Sequence, residues 1–547
     1  MRSVAGLIRK SAGLVVEGPA HWNVAIRPRD GEEPSDYAAR LAASHIDDTA
    51  EPHRRQLGQF FTPVSVARFM AALVHPARSV RRLLDPGAGT GILACALCEA
   101  LPANAGGPVH VDAYEVDDVL APLCTASLSY AREFVAKRGV TLSFTVHRSD
   151  FVTGNARLLS PGLFDAEPSG FYDVAIANPP YFKLQKDDPR ARATASVVHG
   201  QPNIYALFLA LMARLLVDQG AMVTITPRSF TTGDYFRRFR EDLFRQVIPE
   251  AVHLFHSRKD AFRRDAVLQE NVILKCRKRR PSPSAAVVIS TSHGASDLDR
   301  PTRRRVGLAS VVDLNSSALT VHIPADDADD EVAGFVRSWP LNLHRLGLEV
   351  STGPVVAFRA NRFLRSEARR GEIHVPLLWL QHIRPMIVSW PLRTCTKPQH
   401  IHNCPESRRL LVPNATYVLL RRFTAKEERR RLTATPLGRA ELPGSWIGLE
   451  NHLNYVHRPG GSGLDDDEAI GLAALLGTAL LDRYVRISSG TTQVNAAELR
   501  RLPLPEQTHL VELGRQVRTN GWKSNELDAA VMEFLGVPPT ILARIKA

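Results

Sequence analysis

Two stretches of this chain carry residue types suited to chemistry. Asn178, Pro179, Pro180 and Tyr181 close the apolar run YDVAIA. Neither proline has an N–H, and each forces its predecessor toward extended geometry, so the turn is stiff and displays carbonyl oxygens. Such a turn receives donors. An exocyclic amine that donated one N–H to the Asn178 side-chain oxygen and the other to the Pro179 carbonyl would have its lone pair drawn out of ring conjugation. Its nitrogen would become nucleophilic, and Tyr181 could stack on the ring and hold its plane. In isolation the tetrapeptide reads equally well as a Pro-Pro turn after a strand.

The second stretch is LLDPGAGTG, Leu83 to Gly91, in which Asp85 ends a strand and Gly87, Gly89 and Gly91 lead into a helix near Thr90. Glycines permit positive φ and close approach of a ligand, and a helix amino terminus offers free N–H groups. A small nucleoside-type cofactor fits such a loop. Position 92 is Ile where a dinucleotide fingerprint needs a glycine, and the loop lacks the Gly-Lys-Ser/Thr of a P-loop, so NAD and ATP are disfavoured. Alone, the loop also reads as a tight strand-to-helix connection. Two acids extend the pattern. Glu115 ends HVDAYE, where a carboxylate can accept both hydroxyls of a ribose, and Asp150 ends SFTVHRSD, where an acceptor could take the exocyclic amine of adenine.

These residues need a scaffold that gathers strand ends. From Arg82 onward short apolar runs alternate with helical stretches: RRLLD, HVDAYE, LSFTVHRSD, YDVAIA, GAMVTIT and ENVILKC, with a helix over Ile204 to Val217 among them. Runs of that length, buried on both faces, predict an α/β fold with a doubly wound parallel sheet. Ligands collect beyond the carboxyl ends of such strands, and with LLD beside VAIA, Gly89 and Asn178 would face one crevice. The expected divisions are an arm or helical preface over 1–50, a catalytic domain over 51–290, a linker or boundary region over 291–330 and a last domain over 331–547. KRRPSPS and SHGASDLDRPTRRR, rich in Pro, Ser and basic residues, carry the linker reading, with VVIS between them open to being a last strand.

With 547 residues, 44% of them hydrophobic and 23% charged, the chain can bury a large core, which excludes disorder for most of its length. Its apolar windows fall short of the ~20 residues a bilayer crossing needs. Arg9 and Lys10 interrupt the apolar amino terminus, so no signal peptide is expected and the location is cytoplasmic. Six irregularly spaced cysteines suit a reducing compartment. The net charge is +13, and from Glu331 onward 29 basic residues face 20 acidic ones. That excess suits a polyanion docking on the carboxy-terminal half, and equally a basic surface kept for solubility.

GQFFTP (Gly58 to Pro63), DPGAGTG, Glu115, Asp150 and NPPY succeed one another in an order that resembles the N6-adenine DNA methyltransferases of type II restriction-modification systems, specifically the gamma class typified by the TaqI enzyme. The likeness runs from about Gln59 to Arg277, and QPNIYALFL and GAMVTITPRSF resemble the next two motifs. It implies a Rossmann-like class I methyltransferase sheet followed by a mixed α+β target recognition domain. It also implies S-adenosylmethionine as cofactor, double-stranded DNA as substrate, a separate cognate restriction endonuclease as partner, and neither metal nor membrane. By this resemblance Phe61, Thr62 and Pro63 flank the methionine part of the cofactor, Asp85 and the three glycines form its loop, and Glu115 and Asp150 hold its ribose and adenine. Phe262 would stack on an extruded target adenine opposite Tyr181, a place that Phe255 could also fill. SSGTTQVNAAELRRLPLP, Ser488 to Pro505, resembles the close of such recognition domains, and Asn495 with Glu498 independently reads as a capping box.

Other readings remain in view. NPPY also occurs in methyltransferases acting on RNA amines and on protein glutamine; the early GQFFTP and the long basic region argue against them. A non-catalytic DNA specificity subunit predicts damage to the glycine loop or to NPPY, and both are intact. No Pro-Cys dipeptide supplies the nucleophile of a cytosine-C5 methyltransferase, and no PD...(D/E)xK set marks a fused nuclease. Cys395, His400, His402 and Cys404 match no common zinc frame, so an ordinary loop is expected there. Arg369-Arg370 and Arg421-Arg422 are read as phosphate contacts or as a solvated face.

Overall fold

The computed structural model describes residues 26–48, 61–74, 79–159, 170–198, 202–256, 270–280, 282, 284–312, 314, 318–367, 371–423, 428, 430–488, 494–522 and 524–546. The chain divides into two units, Met1–Ala325 and Asp326–Ala547.

The first unit is built on a nine-stranded sheet whose spatial order is β3-β2-β1-β4-β5-β7-β6-β8-β9. Its strands are β1 (Arg82–Pro86), β2 (Val109–Tyr114), β3 (Leu142–His147), β4 (Tyr172–Ala177), β5 (Leu216–Pro227), β6 (Ile248–Phe255), β7 (Asn271–Arg277), β8 (Ala286–Ser292) and β9 (Thr302–Gly307). β1 to β5 are parallel, and β1 lies between β2 and β4 with Leu83 opposite Val174. Helices cover both faces, which is why these strands read as unbroken apolar runs. On one face α1 (Pro34–Asp48), α2 (Val64–Val74), α3 (Ile92–Glu99) and α4 (Leu120–Ala136) enclose a core with Leu83, Val111, Ile176 and Val223. On the other, α5 (Phe151–Asn155), α6 (Pro189–Ala193), α7 (Ile204–Leu215) and α8 (Arg237–Gln246) pack over Leu84, Ala175, Met222 and Leu274.

Two features depart from the expected sheet. ENVILKC, expected among the parallel strands, forms β7 and runs antiparallel to both β5 and β6. A run buried on both faces has the same composition in either direction, so direction is not legible in it. The Pro/Ser/Arg-rich stretch read as a linker instead extends the sheet: VVIS lies in β8, parallel to β6, and TRRRVG forms the edge strand β9. An edge strand meets solvent along one side and need not be apolar. The division between units falls after Ala325.

The second unit holds an antiparallel four-stranded sheet (Glu349–Thr352, Leu453–His457, Tyr417–Arg421, Ala434–Leu437) and a mixed five-stranded one (Leu364–Arg365, His400–His402, His374–Leu378, Trp446–Leu449, Leu411–Pro413). The helices Asp466–Leu476 and Gln507–Asn520 touch backbone to backbone at two glycines. A Cβ on Gly471 would stand 1.9 Å from the Leu510 carbonyl oxygen, and one on Gly514 would stand 1.8 Å from that of Asp467. Glu498 reaches back to accept from the Asn495 N–H at 3.3 Å, as a capping box does. His400 and His402 stand on a strand, and among the described residues no three His, Cys, Asp or Glu gather as metal ligands. Arg421 and Arg422 donate to the carbonyls of Ile383 and Asn451, whereas Arg369 and Arg370 lie outside the described residues. No helix among the described residues is long and apolar enough to cross a membrane.

Candidate active site

A cavity of about 540 Å³ opens beyond the carboxyl ends of β1 to β4. The loop leaving each strand supplies part of its lining: Gly87 and Gly89 after β1, Glu115 after β2, Asp150 after β3 and Asn178 after β4. The sheet therefore brings four separate motifs to one wall. Phe61 and Thr62, entering α2, line it as well; Pro63, Asp85, Gly91, Pro179 and Tyr181 do not.

The loop after β1 turns on three left-handed glycines, with φ of 78°, 60° and 88° at Gly87, Gly89 and Gly91. L residues rarely adopt that conformation. A Cβ on Gly89 would stand 3.5 Å from the Phe61 ring and narrow the cavity floor. Asp85 lies fully buried beneath the loop, its Oδ2 accepting from Ala94 N at 3.0 Å in the first turn of α3. Its Oδ1 has no partner, and burial pushes its pKa up to about 8. Expected among the cofactor contacts, Asp85 instead braces the loop from below, because a residue inside a strand end faces the core.

Glu115 is almost buried, with Oε2 accepting from Gly89 N at 2.7 Å and Oε1 from Asp117 N at 2.9 Å. Burial raises its pKa above the usual carboxylate range against the pull of those amides. Each oxygen keeps a second lone pair for a hydroxyl. Asp150 caps α5 by accepting from Thr153 N at 2.8 Å, and its other oxygen lies 3.6 Å from the Arg190 guanidinium, which forks onto Asp188 at 2.9 and 2.7 Å. Between the acids the wall is apolar: Phe151, Phe182, Ile204 and Phe208, with Val116 left 65% exposed directly after Glu115. Sequence reasoning passes over Val116 and Phe151, although an apolar residue directly after a strand-end acid is an available signal.

Asn178 is held from two sides. Its Nδ2 donates to Thr62 Oγ1 at 3.0 Å, and the Tyr181 hydroxyl lies on its Oδ1. That hydroxyl is also 2.9 Å from the Ile225 carbonyl, and a phenol has one proton for the two acceptors. The Tyr181 ring meets Tyr205 edge-on at 6.4 Å, off the cavity wall. Phe262 lies outside the described residues, and Phe255 is buried in β6 against His253.

An open glycine floor, a nearly buried carboxylate with spare lone pairs and an apolar wall together suit a nucleoside, and the Asn178 turn beside them offers acceptors. Comparison with known proteins agrees with this chemistry. The Eco57I restriction-modification methylase family model matches residues 142–262. The chain is 32% identical over 500 residues to the type II methyltransferase M.PstI of Providencia stuartii, covering 91% of this chain and 96% of that protein. It is 33% identical over 490 residues to the type II methyltransferase M.BsuBI of Bacillus subtilis, covering 88% and 95%. A tRNA1(Val) (adenine(37)-N6)-methyltransferase of Tolumonas auensis is 30% identical over 196 residues, covering 34% of this chain and 72% of that protein. With near full-length likeness to two of its members, the chain belongs to the type II restriction-modification methyltransferases, enzymes that draw their methyl group from S-adenosylmethionine.

Proposed function

We propose that the chain methylates the N6 amine of an adenine extruded from a specific site in duplex DNA. Glu115 would hold the cofactor ribose and Asp150 its adenine amine, with Val116 and Phe151 against the purine faces and Phe61 and Thr62 near the methionine end. In this reading residues 331–547 recognise the target sequence, Phe262 stacks on the target base, and the modified site is shielded from a separate cognate endonuclease in the cytoplasm. Bound S-adenosylmethionine supplies an electrophilic sulfonium methyl. Asn178 Oδ1 and the Pro179 carbonyl would accept the two N–H bonds of the amine and hold its nitrogen, with its lone pair freed, toward that methyl; the surplus amine proton would leave to water. Orientation and fixed acceptors carry the rate.

The observation that carries the reading is Asn178 on the wall that it shares with Gly89 and Glu115, its amide fixed by Thr62. The relatives named for adenine N6 chemistry on tRNA support the same atom as nucleophile. Their likeness spans only about a third of this chain, which favours DNA over RNA as its substrate. Asn178→Ala should lower methyl incorporation into duplex DNA by roughly a hundredfold or more, with S-adenosylhomocysteine still bound within about twofold of wild type. Full activity in that variant, or methyl groups found only in RNA or protein after digestion and mass spectrometry, would refute the assignment.

A further inference from the structure

In the second unit, a short helical turn, Ala357–Ala360, runs into a 3-10 turn, Asn361–Phe363, on the five-stranded sheet. Ala360 and Phe363 are buried in the cluster formed with Val375, Leu377 and Ile401, so the turn is rooted on that side. Phe358, Arg359 and Arg362 are among its exposed residues, with Ala360 and Phe363 turned to the core. Phe358 is 79% exposed, the most exposed large hydrophobic among the described residues. One exposed ring is ordinary by itself; the charge around it is not.

The Arg359 guanidinium sits 5.3 Å from the Phe358 ring centre and that of Arg362 4.5 Å from Phe363. A second turn at Arg408–Leu410 packs into the same cluster through Leu410, and it adds Arg408, stacked at 4.4 Å on Trp446, and Arg409. None of these four arginines has a carboxylate at ion-pair distance among the described residues. Glu406 feels Arg362 only as a weaker influence behind its own hydrogen bond with Cys404. Several other arginines of this unit are neutralised, among them Arg458 by Glu468 at 2.6 Å, Arg483 by Asp326 at 2.6 Å, Arg486 by Asp482 at 2.7 Å and Arg430 by Asp528 at 2.8 Å. Guanidiniums stacked on aromatics, one of them on an exposed ring, and with no carboxylate at ion-pair distance among the described residues, match a partner that offers regularly spaced phosphates and flat apolar faces.

We propose that the Ala357–Phe363 turn is a duplex-DNA contact, with Arg359 and Arg362 on backbone phosphates and the Phe358 ring against a base step. It rests on the DNA reading above and adds to it which surface is used and how the labour is split between charge and ring. The test uses the full chain and a duplex carrying the sequence that the wild type methylates, with affinity measured by fluorescence anisotropy across a salt series. The double variant Arg359→Ala with Arg362→Ala should weaken binding about tenfold or more and flatten the slope of log affinity against log salt by roughly 1.8, about 0.9 for each phosphate lost. Phe358→Ala should weaken binding about tenfold with the salt slope unchanged, and Phe358→Trp should restore it. Variants that bind with wild-type affinity and slope would overturn this surface alone; a wild type that binds no duplex would overturn the DNA reading and this surface with it.

Discussion

The acids at the strand ends do unlike work although the sequence presents them alike. Glu115 and Asp150 reach the cavity; Asp85 does not, and its burial leaves a neutral carboxyl favoured in the fold. With a folded pKa of about 8 against an ordinary value of 3.8, the native state keeps a proton that the unfolded chain releases. Stability from this group is therefore full below the unfolded pKa and is lost as pH rises through the folded one. Asp85→Asn, which keeps an acceptor for Ala94 N, should flatten the fall in urea midpoint between about pH 5 and 8; an unchanged pH profile would show that Asp85 carries no such proton. At this scale the motif residues are legible because their chemistry is written in type and spacing. The link from Asn178 to Thr62 is not, since 116 positions separate its ends and only the packing of α2 against the sheet joins them. Nor can the sequence reveal that the Tyr181 hydroxyl lies on the very oxygen proposed to receive the substrate amine.

Among the elements, the strand-loop-helix around Gly87, Gly89 and Gly91 is legible, as is the neighbouring of β1 and β4, because buried strands leave a pattern that turns and glycines punctuate. Strand direction and the sheet's far edge are hidden for the reason that composition records burial and not orientation. The glycine contact between Asp466–Leu476 and Gln507–Asn520 is equally silent, for a glycine that admits another backbone looks like any other until its neighbour is known. It makes a sharp expectation. Gly471→Ala should destabilise the second unit by about 1–3 kcal/mol through forced separation of the helices. Gly334→Ala, in the helix Asp327–Arg337 where an added Cβ meets nothing within 4 Å, should stabilise it by up to about 1 kcal/mol. Chemical denaturation of the two variants reads both signs.

For the whole molecule, the sequence conveys that charge is uneven and that a second body succeeds the catalytic one, but not the architecture of that body. Its short strands and long connections carry little periodicity, and pairs such as Arg421-Arg422 turn out to serve backbone carbonyls. At the margin of the first unit, β9 offers its outer side to solvent with Arg303, Arg304 and Arg305 in succession, and Arg303 and Arg305 stand opposite Ser290 and Val288 of β8. A second copy that tried to add its own β9 there would align like charges across the seam, so the sheet closes itself to recruitment by electrostatic repulsion. Arg303→Val with Arg305→Val should therefore make the sedimentation coefficient climb with loading more steeply than that of the native chain, and raised salt should push the native chain part of the way toward the same self-association.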